Sequence, residues 1–307
     1  MNRKLAVIGS TNIDMTMQLE HLPKMGETVI NGEYYQAFGG KGANTAVGAA
    51  RCGGNVYFIT CLGDDNFSPL LLESFIKDNI QTQYVYAESG VSTGTALIMT
   101  DSQGHNCIGV APGANDNLSP ELVDKAFPAI KEAEIILMQC EIPHETNKHI
   151  IDLCHKLGKK AMMNLAPARP IEDAYLAKLY LLIVNETEAE FLSGCKVASS
   201  SDIEKAADLI LSKGPKNVII TLGARGSYVA SESKRYFVES FLVEAVDSTA
   251  AGDIYCGALA VALTEGKSLE DAVRFATAAA AICVTRLGAQ PSAPRRIEIE
   301  EFLAKQK

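Results

Sequence analysis

Short apolar runs rich in Val and Ile recur along the chain, separated by longer stretches with helical spacing. The runs cover residues 4–10, 55–62, 134–139, 160–165, 179–184 and 217–222. Each is apolar at successive positions, so the strand it predicts must be covered on both faces, as in a parallel sheet with helices on either side. Between them, residues 41–52, 68–78, 144–157, 203–212 and 252–264 carry helical patterns. The order predicts an α/β fold on a wound, mainly parallel sheet flanked by helices.

Two regions break this alternation. Met15, Met17 and Leu19 alternate with Thr16, Gln18 and Glu20, and residues 28–38 are rich in β-formers, the pattern of half-exposed strands. Residues 95–100 and 106–110 look similar and are joined by the turn-forming Asp101-Ser102-Gln103-Gly104. We therefore expect a small second sheet, from about residues 13–38 and 94–111, inserted in one domain spanning residues 1–307. A sheet with one uncovered face is a candidate lid, a dimer surface, or both.

Composition narrows the function. With 307 residues, 47% hydrophobic and 21% charged and without Trp, the chain has the make-up of an ordinary globular protein. A formal net charge of -9 disfavours a nucleic-acid backbone as ligand, since that requires clustered Lys and Arg. The apolar stretch around residues 275–284 is too short to cross a bilayer, so no membrane partner is expected. The opening Met-Asn-Arg-Lys and the brief apolar run after it do not read as a signal peptide, and a cytoplasmic location is expected. Eight cysteines without a C-x-x-C pair, scattered through apolar runs, agree with reduced thiols.

Four segments carry candidate chemistry. Asp247-Ser248-Thr249-Ala250-Ala251-Gly252-Asp253 leads into the helix at 252–264; its small residues leave first-turn N–H groups open, an anion site. Asp253 at that end should stay ionised and can accept a proton from a hydroxyl, although an acid in a first helical turn is also an ordinary stabilising choice. Phe38-Gly39-Gly40-Lys41-Gly42-Ala43-Asn44 combines close backbone approach with Lys41 and Asn44 on one helical face, a pair able to bind several hydroxyls, or else a plain glycine turn. Asn12 and Asp14 follow the first strand and point the same way, where open α/β sheets hold ligands. Asn185-Glu186-Thr187-Glu188 is either a capping box or a contact to phosphates and hydrated Mg²⁺. Neither a P-loop nor a G-x-G-x-x-G motif is present. His144 and His149 are five apart and do not share a helical face, which disfavours zinc.

Gly39 to Asn44 and Asp247 to Asp253 resemble the two signatures of the ribokinase (PfkB) carbohydrate-kinase family. Gly9 to Asp14, Gly63-Asp64-Asp65, Asn164 to Ala168, Asn185 to Glu190, Thr221-Leu222-Gly223 and Gly288 to Ser292 resemble it in the same order, so the likeness spans the whole chain. It implies a kinase using ATP, with Asn12, Asp14, Gly40, Lys41, Asn44 and Glu141 binding a sugar, ribose first. Asp253 would deprotonate the 5-hydroxyl beside an anion hole of Ala250, Ala251 and Gly252. The nucleotide would lie along Asn185, Glu188, Thr221, Leu222, Gly223, Ala224, Arg225, Gly226, Gly252 and Thr277. Asp247, Thr249, Cys283, Arg286, Gly288 and Ser292 match positions that hold a monovalent cation such as K⁺, several through carbonyls. The resemblance also implies a homodimer through the lid sheet. Ser248, Ala250, Thr277 and Val110-Ala111-Pro112 depart from common family choices, leaving deoxyribose, a ketohexose or a nucleoside such as adenosine open as substrate. A non-catalytic sugar or nucleotide sensor on the same fold is the alternative from another class.

Overall fold

The computed structural model describes residues 4–306. Among them thirteen strands run in chain order. The first seven are β1 (Lys4–Ile8), β2 (Asn12–Leu19), β3 (Glu33–Gly39), β4 (Asn55–Gly63), β5 (Gln81–Glu88), β6 (Gly94–Asp101) and β7 (Asn106–Ala111). The rest are β8 (Ala133–Met138), β9 (Lys160–Asn164), β10 (Leu181–Asn185), β11 (Asn217–Thr221), β12 (Ser227–Ser231) and β13 (Arg235–Val238). Nine form one sheet in the order β13-β12-β11-β10-β9-β8-β1-β4-β5. It is parallel from β11 through β5, with β12 and β13 antiparallel at one edge.

The fully apolar runs are explained by what covers them. Leu5, Val7, Val56, Phe58, Ile135 and Leu137 pack on one face with the helices Lys41–Arg51, Ala251–Thr264 and Leu269–Cys283. Their neighbours Ala6, Ile8, Tyr57, Ile59, Ile136 and Met138 pack on the other with His144–Leu157 and Ser200–Ser212. This is the α/β, mainly parallel architecture that the sequence implies. The helix expected from residue 203 begins at Ser200, because Ser199 and Asp202 close a capping box there.

The remaining strands form a separate sheet in the order β3-β2-β6-β7, with β2 and β6 parallel and the other pairs antiparallel. The β-rich reading of residues 28–32 is corrected: Asn31 adopts φ +67°, which interrupts an extended chain, and the strand starts at Glu33. The polarity of β2 also differs from a simple alternation. Thr16 is buried and Met17 exposed, and Met17 pairs across with the exposed Tyr34 and Met99.

Two features of this frame place the site. From β1 the chain winds to β4 and β5 on one side, whereas β8 to β11 extend on the other, so a crevice opens beyond the carboxyl ends of β1 and β8. Beside it the helices Lys41–Arg51 and Ala251–Thr264 cross at backbone contact. A Cβ at Gly257 would lie 2.6 Å from the Thr45 carbonyl oxygen and 2.8 Å from the Ala49 nitrogen, and one at Gly48 2.8 Å from Ile254 Cδ1. Gly257→Ala should therefore force the helices apart and lower stability by about 1–3 kcal/mol, read as a reduced urea midpoint at unchanged m-value.

Candidate active site

The glycines after β1 and β3 let three segments share one small space. A Cβ on Gly42 would lie 2.5 Å from Gly9 C and Ser10 N, so the helix Lys41–Arg51 starts directly against the β1–β2 connection. Ala43 N donates to the Ser10 carbonyl at 2.8 Å. Ser10 Oγ donates to Glu141 Oε2 at 2.6 Å, and the same oxygen accepts from Lys41 N at 3.0 Å. Glu141, just beyond β8, is thereby tied to the start of the helix that carries Lys41 and Asn44. Gly40 has φ +89°, and a side chain there would meet Asn12 N at 2.7 Å. Gly39 clears the Asp14 carboxylate, which an added Cβ would approach to 2.1 Å.

From the far end of the chain comes Asp253. Ala250 caps the helix Ala251–Thr264 with φ +61°, and Ile254 N returns to its carbonyl at 2.9 Å. The N–H groups of Gly252 and Asp253 have no partner among the described residues and form the positive end of the helix. Asn44 Nδ2 donates to Asp253 Oδ2 at 3.1 Å, while Asn44 Oδ1 is buried without a partner. Gly252 needs no glycine for packing, since a Cβ would meet nothing within 4 Å. A side chain there would project into open space beside the helix N-terminus.

Charge is concentrated around Lys41. Its pKa is raised by the Asp253 carboxylate first, against the opposing effect of burial, with further help from Glu141 and Glu188. Burial pushes Asp253 up to about 6, although Lys41 and the Asn44 bond pull it down. Burial likewise pushes Asp14 up to about 6, helped by repulsion from Glu141. The helix end favours the ionised form of Asp253; removal from water outweighs it and yields a carboxylate whose basicity is nearer neutrality, yet still mostly ionised at pH 7.

The other expected residues fall into two groups. Asn185 and Glu188 form a reciprocal capping box at the carboxyl end of β10, with bonds of 2.9 and 2.8 Å. Next to them Thr221 to Gly226 make a tight turn closed by Leu222 N to the Gly226 carbonyl at 2.8 Å, with Gly223 at φ +55° and Gly226 at +92°. Ala224 lies within that turn, and Arg225 pairs with Glu186 at 2.5 Å. Thr277 turns its hydroxyl back to the Val273 carbonyl at 2.8 Å and is buried. The second group surrounds the loop of residues 247–250, just before the helix Ala251–Thr264. Asp247 Oδ1 accepts from Thr249 N at 2.9 Å and Thr249 Oγ1 at 2.6 Å, and Oδ2 accepts from Gly288 N at 2.8 Å. Burial would raise this carboxyl, but those bonds outweigh it and hold its pKa low. Cys283 Sγ lies 3.0 Å from Ser292 Oγ and 3.8 Å from the Thr249 carbonyl oxygen. The Arg286 side chain points away to Glu298.

A sequence model of the pfkB family of carbohydrate kinases matches residues 2–296. The chain belongs to that family. It is 40% identical over 303 residues to a ribokinase of Haemophilus influenzae, covering 99% of each chain. A deoxyribokinase of Salmonella typhi is 35% identical over 301 residues, with 98% of each chain covered. Among solved structures, Arabidopsis thaliana ribokinase complexed with ribose and ATP superposes with a TM-score of 0.93 at 34% identity, covering 99% of each chain.

Three side chains that hold this pfkB-family site were not singled out from the sequence. Ser10 bridges Glu141 and Gly42; it stands in the motif containing Asn12 and Asp14 and was legible there as a hydroxyl beside a glycine. Gln139 is fully buried with both amide atoms unpartnered. Asn115 bonds to Thr11 and Asn12; nothing local marks either of these two amides. The raised Asp253 carboxyl gives a prediction about stability. A carboxyl raised in the folded state makes a contribution that is full below the unfolded pKa near 4 and is lost as pH rises through about 6. Asp253→Asn should therefore stabilise the protein at pH 7, by up to about 3 kcal/mol, and the advantage should vanish toward pH 4. Denaturant titrations across that range provide the check.

Proposed function

We propose that this enzyme transfers the γ-phosphoryl group of ATP to the 5-hydroxyl of D-ribose, with Asp253 as the base. The observation that carries this reading is the Asn44–Asp253 bond, which puts a buried carboxylate at a helix N-terminus in one chamber with Lys41. Asn12, Asp14, Gly40, Lys41, Asn44 and Glu141 bind the sugar; the unpartnered Asn44 Oδ1 suits a hydroxyl donor. As the hydroxyl oxygen attacks, its proton passes to Asp253, while the open N–H groups of Gly252 and Asp253, beyond the Ala250 cap and Ala251, receive the oxygens of the phosphoryl group. The turn Thr221 to Gly226, with Asn185, Glu188 and Thr277, borders the nucleotide.

Mg²⁺ carried with the nucleotide supplies charge neutralisation on the phosphates. Glu188, buried and holding Asn185 N with one oxygen, fits a contact made through water. The Asp247 carboxylate, held in its charged form, and the carbonyls of the surrounding loop fit a hard monovalent cation such as K⁺. Such an ion would brace Thr249 and Gly288 against each other next to the anion hole.

The four-stranded sheet acts as the lid of a single kinase domain and as the dimer surface. Met17, Tyr34, Leu97 and Met99 are exposed on one of its faces and Tyr35, Ile108 and Val110 on the other, an apolar display that a second copy would cover. Eight free cysteines suit a reducing cytoplasm. No helix among the described residues is long and apolar enough to cross a membrane.

The likeness to the Salmonella deoxyribokinase favours 2-deoxyribose as the second reading. Relative kcat/KM decides: a ribose enzyme should discriminate through the unpaired groups left by a missing hydroxyl, and parity between the sugars would retire ribose as the assignment. Asp253→Asn should lower kcat by about 10²–10⁴-fold with ATP affinity nearly intact; near-normal turnover would remove Asp253 as base. Wild-type kcat/KM should decline below about pH 6, as Asp253 and Asp14 take up protons. Gly252→Ala should fold normally, given its open surroundings, yet lose about 10²-fold in kcat by obstructing the phosphoryl site. Light scattering should return twice the chain mass; a monomer would overturn the dimer.

A further inference from the structure

We propose that Asn115 is a positioning residue for the sugar: it fixes the side-chain amide of Asn12 so that Asn12 presents its NH₂ group, a pure donor, to the substrate. The inference rests on Asn12 belonging to the sugar site. Asn115 lies in the 3₁₀ turn Gly113–Asn117 that follows β7, the outer strand of the small sheet, and is 2% exposed. Its Oδ1 accepts from Thr11 N at 2.8 Å, and its Nδ2 donates to the Thr11 carbonyl at 3.2 Å and to Asn12 Oδ1 at 2.8 Å.

The orientation of both amides follows from the backbone. A main-chain N–H can only donate and a main-chain carbonyl can only accept, so the amide of Asn115 has one orientation consistent with Thr11. The second hydrogen on its Nδ2 then requires an acceptor, and Asn12 must turn its oxygen toward it. Asn12 Nδ2 is left with no partner among the described residues. Gly94 at the start of β6 leaves the room for this contact: a Cβ there would lie 2.2 Å from both Asn115 Nδ2 and Asn12 Oδ1.

The consequence is a defined polarity. Asn12 and Asp14 lie on one face of β2, so a donor and an acceptor stand side by side, and a hydroxyl can accept a hydrogen bond from Asn12 while donating one to Asp14. With the Asn12 amide reversed, two acceptors would face the sugar. Asn115 also anchors the turn leaving β7. Ala114 N bonds to the Ser92 carbonyl at 2.9 Å just before β6, so the root of the small sheet and the polarity of the sugar site are set by the same turn.

Initial-rate kinetics at saturating ATP test this, on ribose and its 1-, 2- and 3-deoxy analogues. Asn115→Asp keeps the acceptor for Thr11 N but removes the donor, so Asn12 should reverse toward the new carboxylate. The KM for ribose should rise about tenfold or more, with kcat and the KM for ATP little changed. The penalty should disappear on one of the deoxy analogues, the one lacking the hydroxyl that Asn12 serves, and should not add to that of Asn12→Ala. An equal rise on every analogue, additive penalties, or an unchanged KM for ribose would overturn the proposal. Should Asn115→Asp fail to fold, Asn12→Asp leaves the Thr11 contacts untouched and turns an acceptor toward the sugar, with an added negative charge beside Asp14. It should show the same analogue-specific loss, and ribose binding as tight as in the wild type would again refute the idea. Failure of the underlying site reading is recognised separately. An Asn12→Ala enzyme with an unaltered KM for sugar removes Asn12 from the site and overturns both readings. A wild type that prefers another sugar moves the same series to that sugar's deoxy analogues, where the analogue-specific loss is again the expected result and its absence the refutation.

Discussion

A carboxylate 209 residues along the chain from its amide partner is held 3.1 Å from it inside the protein, and the site is organised around that contact. Burying Asp253 costs free energy that only a nearby cation and a hydrogen bond can offset. Lys41 and Asn44 supply both from the first turn of one helix. Their reach depends on the crossing of Lys41–Arg51 with Ala251–Thr264, where Gly257 lies against the Thr45 carbonyl and the Ala49 nitrogen. With larger residues at that crossing the helices would separate, leaving the carboxylate buried and less compensated. Small residues in these two helices are therefore a requirement of the chemistry as well as of packing.

The half of the site proposed to take the sugar hangs from the same helix. Glu141 reaches Lys41 N and Ser10 Oγ with one oxygen, and the β1–β2 connection is pressed against Gly42. The topology supplies the space, because β1 and β8 are neighbours whose onward connections diverge. The glycines supply the proximity. Neither suffices alone: the crevice without Gly9, Gly40 and Gly42 would be filled by side chains, and the glycines without the crevice would form only a turn.

Much of this was legible in the chain. Buried parallel strands betray themselves by being apolar at successive positions, and Lys41, Asn44 and Asp253 stand at glycine-marked helix starts, where open N–H groups and short side chains have a recognisable purpose. What stayed hidden depends on distant partners. Asn115 looks like any loop amide until Thr11, 104 residues earlier, is brought against it. The start of β3 was misplaced because β-forming residues at 28–32 were read without the turn that Asn31 imposes. The raised basicity of Asp253 is hidden for a related reason. A helix end is local and visible in sequence, whereas the exclusion of water results from the whole core.

The balance of charge also explains how one chamber can separate two very different ligands. Asp14, Glu141, Glu188 and Asp253 face a single Lys41, and the electrostatic influence of each carboxylate on the others is repulsive. Such a space favours neutral hydroxyl groups, which donate to carboxylates without adding charge. It opposes an anion everywhere except at the start of the helix Ala251–Thr264, where unpartnered N–H groups point outward and Gly252 adds no side chain. An anionic group therefore has one electrostatically favourable approach, which ends beside Asp253, the base in the proposed reaction. In the proposed reaction, position along the helix axis thus confines transfer to the hydroxyl held next to Asp253.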